Sequence, residues 1–341
     1  LKTEPTSKSH SLRQIKLALI GYGRIGKIHA NNILQMHGVE LALVIDPLLD
    51  EDGQLFDSRT KTSKDIKVLT ASREIDGVII CSPSIYHIDQ IKTAATKTKN
   101  LFCEKPLALD PDEIASTQEL SIKQNLNLHI GFNRRFDPDF QKLKKDINDG
   151  VIGDIYQITI TSRDPSPPSI DYIKESGGLF LDMTIHDFDM IRYLTNAEID
   201  EIYAKGKCMV DPNIGNAGDI DTAMINMKLT NGIIASINNS RKAVYGYDQR
   251  IEILGSKGSL QVGNQLLHGV NKGTKKGFSS GNPKHFFIDR YADSYKLEMH
   301  NFIDSIKGKK VSYPSVNDAL KTLEAGLAAN KSLLKNKPIK L

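Results

Sequence analysis

Asp182 and His186 stand four residues apart in the run Gly177-Gly178-Leu179-Phe180-Leu181-Asp182-Met183-Thr184-Ile185-His186-Asp187. On a single helix that spacing projects both side chains from one face. An imidazole, with an ordinary pKa of about 6.5, can take the proton from a hydroxyl, and a nearby carboxylate can orient it and stabilise the imidazolium. Taken alone, the pair more often marks a helix-start acid beside a satisfied histidine. Two upstream features change the weighing: the glycine turn Gly21-Tyr22-Gly23-Arg24-Ile25-Gly26 and the tripeptide Glu104-Lys105-Pro106.

The elements that would position these groups follow from pattern. Residues 15–20 form a short β-rich run that ends at the glycine turn, and a helical pattern runs from 24 towards 36. In such a turn Gly21 permits the tight bend, Gly23 admits a pyrophosphate to the backbone, and Gly26 lets helix and strand pack closely. Arg24 and Ile25 open a helix whose free N–H groups and positive end would face the phosphates. A second run, 40–45, ends in Asp46, roughly 20 residues beyond the turn, where a carboxylate accepts hydrogen bonds from an adenosine ribose. A carboxylate there repels a 2′-phosphate, so the expected cofactor is NAD rather than NADP.

The alternation continues through the first half. Residues 77–80 read as a buried strand that opens into Ser82-Pro83-Ser84-Ile85-Tyr86-His87; a helix over 88–96 and a strand over 101–103 follow. Strands alternating with helices imply right-handed crossovers and a parallel sheet. Ser82 and Pro83 leave a strand's carboxyl end, where ligands collect in open α/β sheets. His87 can touch the cofactor there, or be a surface histidine at a helix start. Glu104-Lys105-Pro106 leaves the next strand end. The proline keeps Lys105 out of helical geometry and lets it aim into a crevice, although by spacing alone it reads as an ordinary exposed loop lysine.

The second half has another rhythm. A strand at 129–131 leads into Asn133-Arg134-Arg135, and a helix over 138–149 follows. Strand-like runs at 154–162, 199–209, 221–230, 232–238 and 249–254 come with hairpin links such as Thr230-Asn231-Gly232. Successive strands without intervening helices predict a mostly antiparallel sheet. Amphipathic helices over 294–306 and 315–334 close the chain. Asp164 can hold a substrate hydroxyl or cap a turn, and the tyrosines at 245 and 247 can donate to substrate or line the sheet. The expected architecture is α/β: an N-terminal Rossmann domain over 1–131, its first 14 residues a flexible lead-in, and a C-terminal α/β domain over 132–341 with an open sheet.

Composition narrows the function classes. The chain has 341 residues, 45 basic against 41 acidic, for a net charge of +4. That balance leaves no footprint for nucleic acid, and the group Lys272, Lys275, Lys276 reads as a solvated loop. No apolar run of about 18 residues suggests a membrane span, and the first residues lack the apolar centre of a signal peptide. Three cysteines without pairing or ligand spacing suit a reducing cytoplasm and suggest no metal.

Taken together, the glycine turn, Glu104-Lys105-Pro106 and the stretch 178–186 resemble the Gfo/Idh/MocA oxidoreductases over nearly the whole chain. Residues 131–137, 162–165 and 182–190 look like those of its inositol 2-dehydrogenase members. The resemblance implies a catalytic trio of Lys105, Asp182 and His186, with Asn133, Arg134, Asp164 and Tyr245 (or Tyr247) as substrate contacts. The implied reaction is NAD-dependent oxidation of myo-inositol to the 2-keto inositol, without a metal, in a homotetramer. Another cyclitol or sugar, such as scyllo-inositol or a hexose, is the alternative substrate; a non-catalytic NAD-binding sensor is the alternative class.

Overall fold

A computed structural model describes residues 13–49, 59–72 and 74–341, so most of the expected lead-in over 1–14 lies outside the described residues. The first half runs β1 (Ile15–Ile20), α1 (Arg24–Leu34), β2 (Val39–Ile45), β3 (Lys61–Ser63), α2 (Lys67–Ala71), β4 (Gly77–Ile80), α3 (His87–Ala95), β5 (Asn100–Glu104), α4 (Pro111–Gln124) and β6 (Asn127–Gly131). Its six strands lie in the order β3-β2-β1-β4-β5-β6, and every pair is parallel. The order reverses between β1 and β4, the crevice where doubly wound sheets bind ligands. β4 is buried along its whole length, which is why it reads as a continuous apolar run rather than an alternating one.

The second half runs α5 (Pro138–Asn148), β7 (Ile155–Arg163), α6 (Ile170–Glu175), α7 (Leu179–Asp182), α8 (Ile185–Thr195), β8 (Ile199–Lys207), α9 (Pro212–Asn216), β9 (Thr222–Leu229), β10 (Ile234–Ser240), β11 (Asp248–Gly255) and β12 (Gly258–Val262). A small hairpin, β13 (Lys272–Thr274) and β14 (Gly277–Ser279), carries the exposed lysines. Then come α10 (Phe287–Arg290), α11 (Ala292–Ile306), α12 (Val316–Lys335) and β15 (Ile339–Lys340). Seven strands form the order β12-β11-β7-β10-β9-β8-β15. All neighbours are antiparallel except β7 with β10, so the sheet is mixed and mostly antiparallel, as expected. Alternate burial in β9 and β11 shows one covered face and one open face. Phe140 of α5, Phe188 and Ile191 of α8, and Ala325 and Ala329 of α12 join the core on the covered side.

One expectation about helices changes. Asp182 and His186 do not share one helix: α7 ends at Asp182 and α8 begins at Ile185. The buried Thr184 hydroxyl bonds Leu179 O and Asn239 Oδ1 at the break, a side-chain interaction that competes with continuing the helix. The closing helices pack back against the first sheet, α12 while also contributing to the core of the second half. Met299, Phe302 and Ile303 of α11 pack with Leu17, Leu19, Ile79 and Phe102, while Val316, Ala319 and Leu323 of α12 join the cluster on the opposite side of the sheet. α12 starts from a capping box between Ser315 and Asp318.

The glycine turn is held by close approach. Gly21 has φ +89°, and a Cβ on Gly26 would lie 2.0 Å from the Gly21 carbonyl oxygen. The Gly26→Ala variant is therefore expected to lose about 1–3 kcal/mol of stability and to bind NADH more weakly. Thermal unfolding and NADH fluorescence titration check both; an unchanged melting temperature contradicts the packing argument.

Candidate active site

A cavity of about 700 Å³ opens between the two sheets. Arg24 and Ile25 reach it from the start of α1, Cys81 and Ser82 from the end of β4, and Glu104 and Lys105 from the end of β5. Asn133, Arg134, Asp164, Asp182 and His186 face it from the second half. Residues far apart in the chain thus meet where the parallel strands end.

Asp182 is the hub. Lys105 Nζ donates to its backbone carbonyl at 3.0 Å and lies 3.5 Å from Oδ1. The Tyr172 hydroxyl donates to Oδ1 at 2.8 Å, and the Arg241 guanidinium donates to Oδ2 at 3.3 Å. Burial alone would raise the Asp182 pKa, but the charges of Lys105 and Arg241 and the Tyr172 hydroxyl outweigh it and hold the carboxyl below its ordinary value. Gly178 is needed beside it: its φ is +83°, and a Cβ there would lie 2.8 Å from Asp219 Oδ1. That Asp219 oxygen accepts the Leu179 N–H at the start of α7.

His186 is shifted the other way. Burial, then the charges of Lys105 and Arg134, push its pKa well below the usual histidine value, so the imidazole is neutral. Its Nδ1 has no hydrogen-bond partner among the described residues, and its ring meets Phe132 edge-on at 6.2 Å. Arg134 donates to Asp187 Oδ1 at 2.5 Å and to the Tyr247 hydroxyl at 3.2 Å. Asp187 is fully buried and also accepts from Asn239 at 2.9 Å. Asn133 is buried, and its Nδ2 has no partner among the described residues.

The two tyrosines part company. Tyr247 lines the cavity. Tyr245 does not: its hydroxyl donates to Asp248 at 2.6 Å and accepts from Arg163 at 3.0 Å. It lines a separate surface hollow with Arg163 and Met209. The expectation for Tyr245 therefore moves to Tyr247. His87 is neither a surface histidine nor a lining residue. It is buried, its ring nitrogens lying 3.0 Å from Pro106 O and 2.8 Å from Ser82 O, and it pins together the loops after β4 and β5. Tyr172, Arg241, Tyr291, Phe286 and Phe287 also line the cavity, and nothing in their local sequence marked them.

The cofactor half fits a dinucleotide on its own geometry. Among the described residues, nothing beyond its chain neighbours lies within 4 Å of where a Gly23 Cβ would be, which leaves the approach to the backbone open. α1 starts at Gly23 with no side-chain cap, so its first N–H groups face outward for an anion. Asp46 sits at the end of β2 and is held by the Tyr22 N–H at 2.6 Å and the Leu48 N–H at 2.7 Å.

Fold and cavity together define a dinucleotide-dependent oxidoreductase. Residues 15–132 match the family described as oxidoreductase, NAD-binding Rossmann fold, and residues 140–261 match the GFO/IDH/MocA C-terminal domain. The chain belongs to the GFO/IDH/MocA oxidoreductases, and its cofactor is NAD. It is 40% identical to a myo-inositol 2-dehydrogenase of Thermotoga maritima, covering 96% of this chain and 98% of that protein. It is 39% identical to an inositol 2-dehydrogenase of Rhizobium meliloti, covering 96% and 99%. A crystal structure of scyllo-inositol dehydrogenase from Lactobacillus casei, with bound NAD(H) and scyllo-inositol, superposes with a TM-score of 0.88 at 32% identity, covering 96% and 99%.

Asp164 gives the site a pH signature. Burial, and then the Asp182 charge, raise its carboxyl to about 7. The folded protein keeps a proton that the unfolded chain releases near ~3.9. Its stabilising contribution is therefore complete below about pH 4 and is lost as the pH rises towards about 7. Urea unfolding should show wild type losing stability relative to Asp164→Asn across that window; a constant difference contradicts the assignment.

Proposed function

We propose that the protein is an inositol 2-dehydrogenase that oxidises myo-inositol to the 2-keto inositol, with His186 as the general base. The observation that carries this reading is the meeting of Lys105, Asp182 and His186 in one cavity beside the glycine turn. NAD, when bound, supplies the hydride acceptor. Hydride loss from a carbinol carbon leaves the hydroxyl proton to the protein, and the neutral His186 imidazole is suited to take it. The Lys105 ammonium stabilises alkoxide character on the reacting oxygen. Asp182, kept ionised by its two cations and Tyr172, holds Lys105 in place and balances charge as His186 becomes imidazolium. Asn133, Arg134, Asp164 and Tyr247 are assigned to the remaining ring hydroxyls, and Asp46 to the adenosine ribose.

The Lactobacillus casei relative favours scyllo-inositol as the second reading. NADH formation against a panel of inositol isomers and hexoses decides between them, and silence across the panel restores the sensor reading. Equal rates with NADP would contradict the role of Asp46. We also place the division between the halves at 131/132, where β6 ends, and the enzyme in the cytoplasm. A homotetramer would use the open face of the second sheet, where Met224 and Ile234 are each 61% exposed; sedimentation analysis tests it.

His186→Ala should lower kcat by about 10²–10⁴-fold while NADH affinity, read by fluorescence, is held. Turnover near wild type removes His186 as the base. Because its pKa is depressed, any acid limb in the rate profile should fall below about pH 6.5. Tyr247→Phe should raise KM for the cyclitol while Tyr245→Phe leaves it unchanged; steady-state kinetics on the pair reads the difference, and the reverse result would return the contact to Tyr245.

A further inference from the structure

Behind the cavity wall, on the core side of Glu104, lies a second cluster that the reaction as drawn does not use. His29 of α1, Glu104 at the end of β5 and Glu298 of α11 bring their polar side-chain atoms within 4.8 Å of one another. His29 is fully buried, and its Nε2 lies 2.9 Å from Glu104 Oε1. The imidazole is gripped edge-on by Phe102 at 5.2 Å and Tyr295 at 5.7 Å. The other Glu104 oxygen accepts the Lys105 backbone N–H at 3.3 Å. Gly131 makes room for this carboxylate: a Cβ there would lie 2.8 Å from Glu104 Oε2.

Glu298 is the anomaly. It is 1% exposed, and neither carboxyl oxygen has a hydrogen-bond partner among the described residues. Burial and the Glu104 charge push its pKa far upward, so it is held as the neutral acid. A buried polar group without a partner costs stability, and an apolar residue of similar size would remove that cost. A buried group left without a partner calls for an explanation, and a role at a functional site is one. Here the site is within reach, because Glu104 lines the cavity on one side and touches this cluster on the other.

We propose that His29 and Glu298 are positioning residues for hydride transfer, acting on Lys105 through the Glu104 carboxylate. His29 fixes one Glu104 oxygen, and the uncharged Glu298 carboxyl, within 4.8 Å of it, gives the Glu104 carboxylate a neutral polar neighbour in an otherwise apolar surrounding, without adding a second buried negative charge. Glu104 then presents its other oxygen to the Lys105 N–H, which sets the backbone from which the lysine side chain reaches Asp182. The cluster also joins three elements: the helix of the glycine turn, the strand that leads into Lys105, and a helix from the C-terminal part of the chain.

The inference rests on the dehydrogenase reading, so wild-type turnover of the cyclitol is measured first in the same assay. An inactive wild type sinks that reading, whereas an active one lets the cluster be tested. Glu298→Leu in the full-length protein should melt at the wild-type temperature or above it. It should nevertheless lose at least about tenfold in kcat, with NADH affinity within about threefold. Glu298→Gln, neutral and of the same shape, should keep kcat within about threefold of wild type. A purely structural role would not separate stability from kcat in this way. Full activity in Glu298→Leu overturns the proposal, as does equal loss in the Leu and Gln variants. Should Glu298→Leu fail to fold, His29→Asn takes its place: the same kcat loss at held NADH affinity is expected, and an unchanged kcat overturns the proposal. A stoichiometric metal in elemental analysis of the purified protein also overturns it, since a cation would then occupy the place given to the neutral acid.

Discussion

The ion pair of Lys105 with Asp182 joins the two halves at the point where chemistry is expected. The lysine leaves the carboxyl end of β5, and the carboxylate closes α7. Neither group is more than one-fifth exposed, and burying charges of this kind is tolerated only with good pairing and extra hydrogen bonds. Asp182 has both, from Lys105, Arg241 and Tyr172. The arrangement fixes the depth of Lys105 in the cavity, and the same lysine charge helps to keep His186 neutral. An acid that stays ionised beside a base that stays uncharged is the combination proton removal from a hydroxyl calls for.

Much of this scaffold is legible from local pattern. The glycine turn, Asp46 at a strand end and the alternation of apolar runs with helices are local features, and the parallel six-stranded sheet follows from them. The hairpin at Thr230-Asn231-Gly232 does connect β9 and β10, because a left-handed glycine turn is a local signal as well. The parallel pairing of β10 with β7 is not legible in this way. It joins strands separated by four helices and two other strands, and no short-range pattern encodes that choice.

The site is legible where a motif carries it and opaque where tertiary contacts do. Tyr172 reaches Asp182 from a different helix, and its neighbours in sequence look like those of any surface tyrosine. Arg241 follows the end of β10 and becomes a site residue only because that strand lies beside β7. Tyr245 and Tyr247 have equal claims in sequence; the Arg163 and Asp248 side chains hold the first away from the cavity. The break between α7 and α8 has the same origin, since it involves a threonine hydroxyl bonded to an asparagine on another strand. His29 and Glu298 lie far apart in the chain, and each reads alone as an ordinary helical residue.

The charge pairing in the cavity bears on what the protein can accept. Three cations line its inner part, and each is committed to an acid: Lys105 to Asp182, Arg241 to Asp182 and Asp219, and Arg134 to Asp187. An anionic substituent on the substrate would have to compete with carboxylates already at close range, in a setting where charges are weakly screened. Arg24 lies outside this set, at the start of the helix assigned to the cofactor phosphates and over the Phe286 ring at 6.0 Å. A ring bearing only hydroxyls makes no such demand. It can donate to Asp164 or the Tyr247 oxygen and accept from Asn133 Nδ2, which has no partner among the described residues. The paired cations thus favour an uncharged polyol over a sugar phosphate or a uronate, independently of any likeness to known proteins.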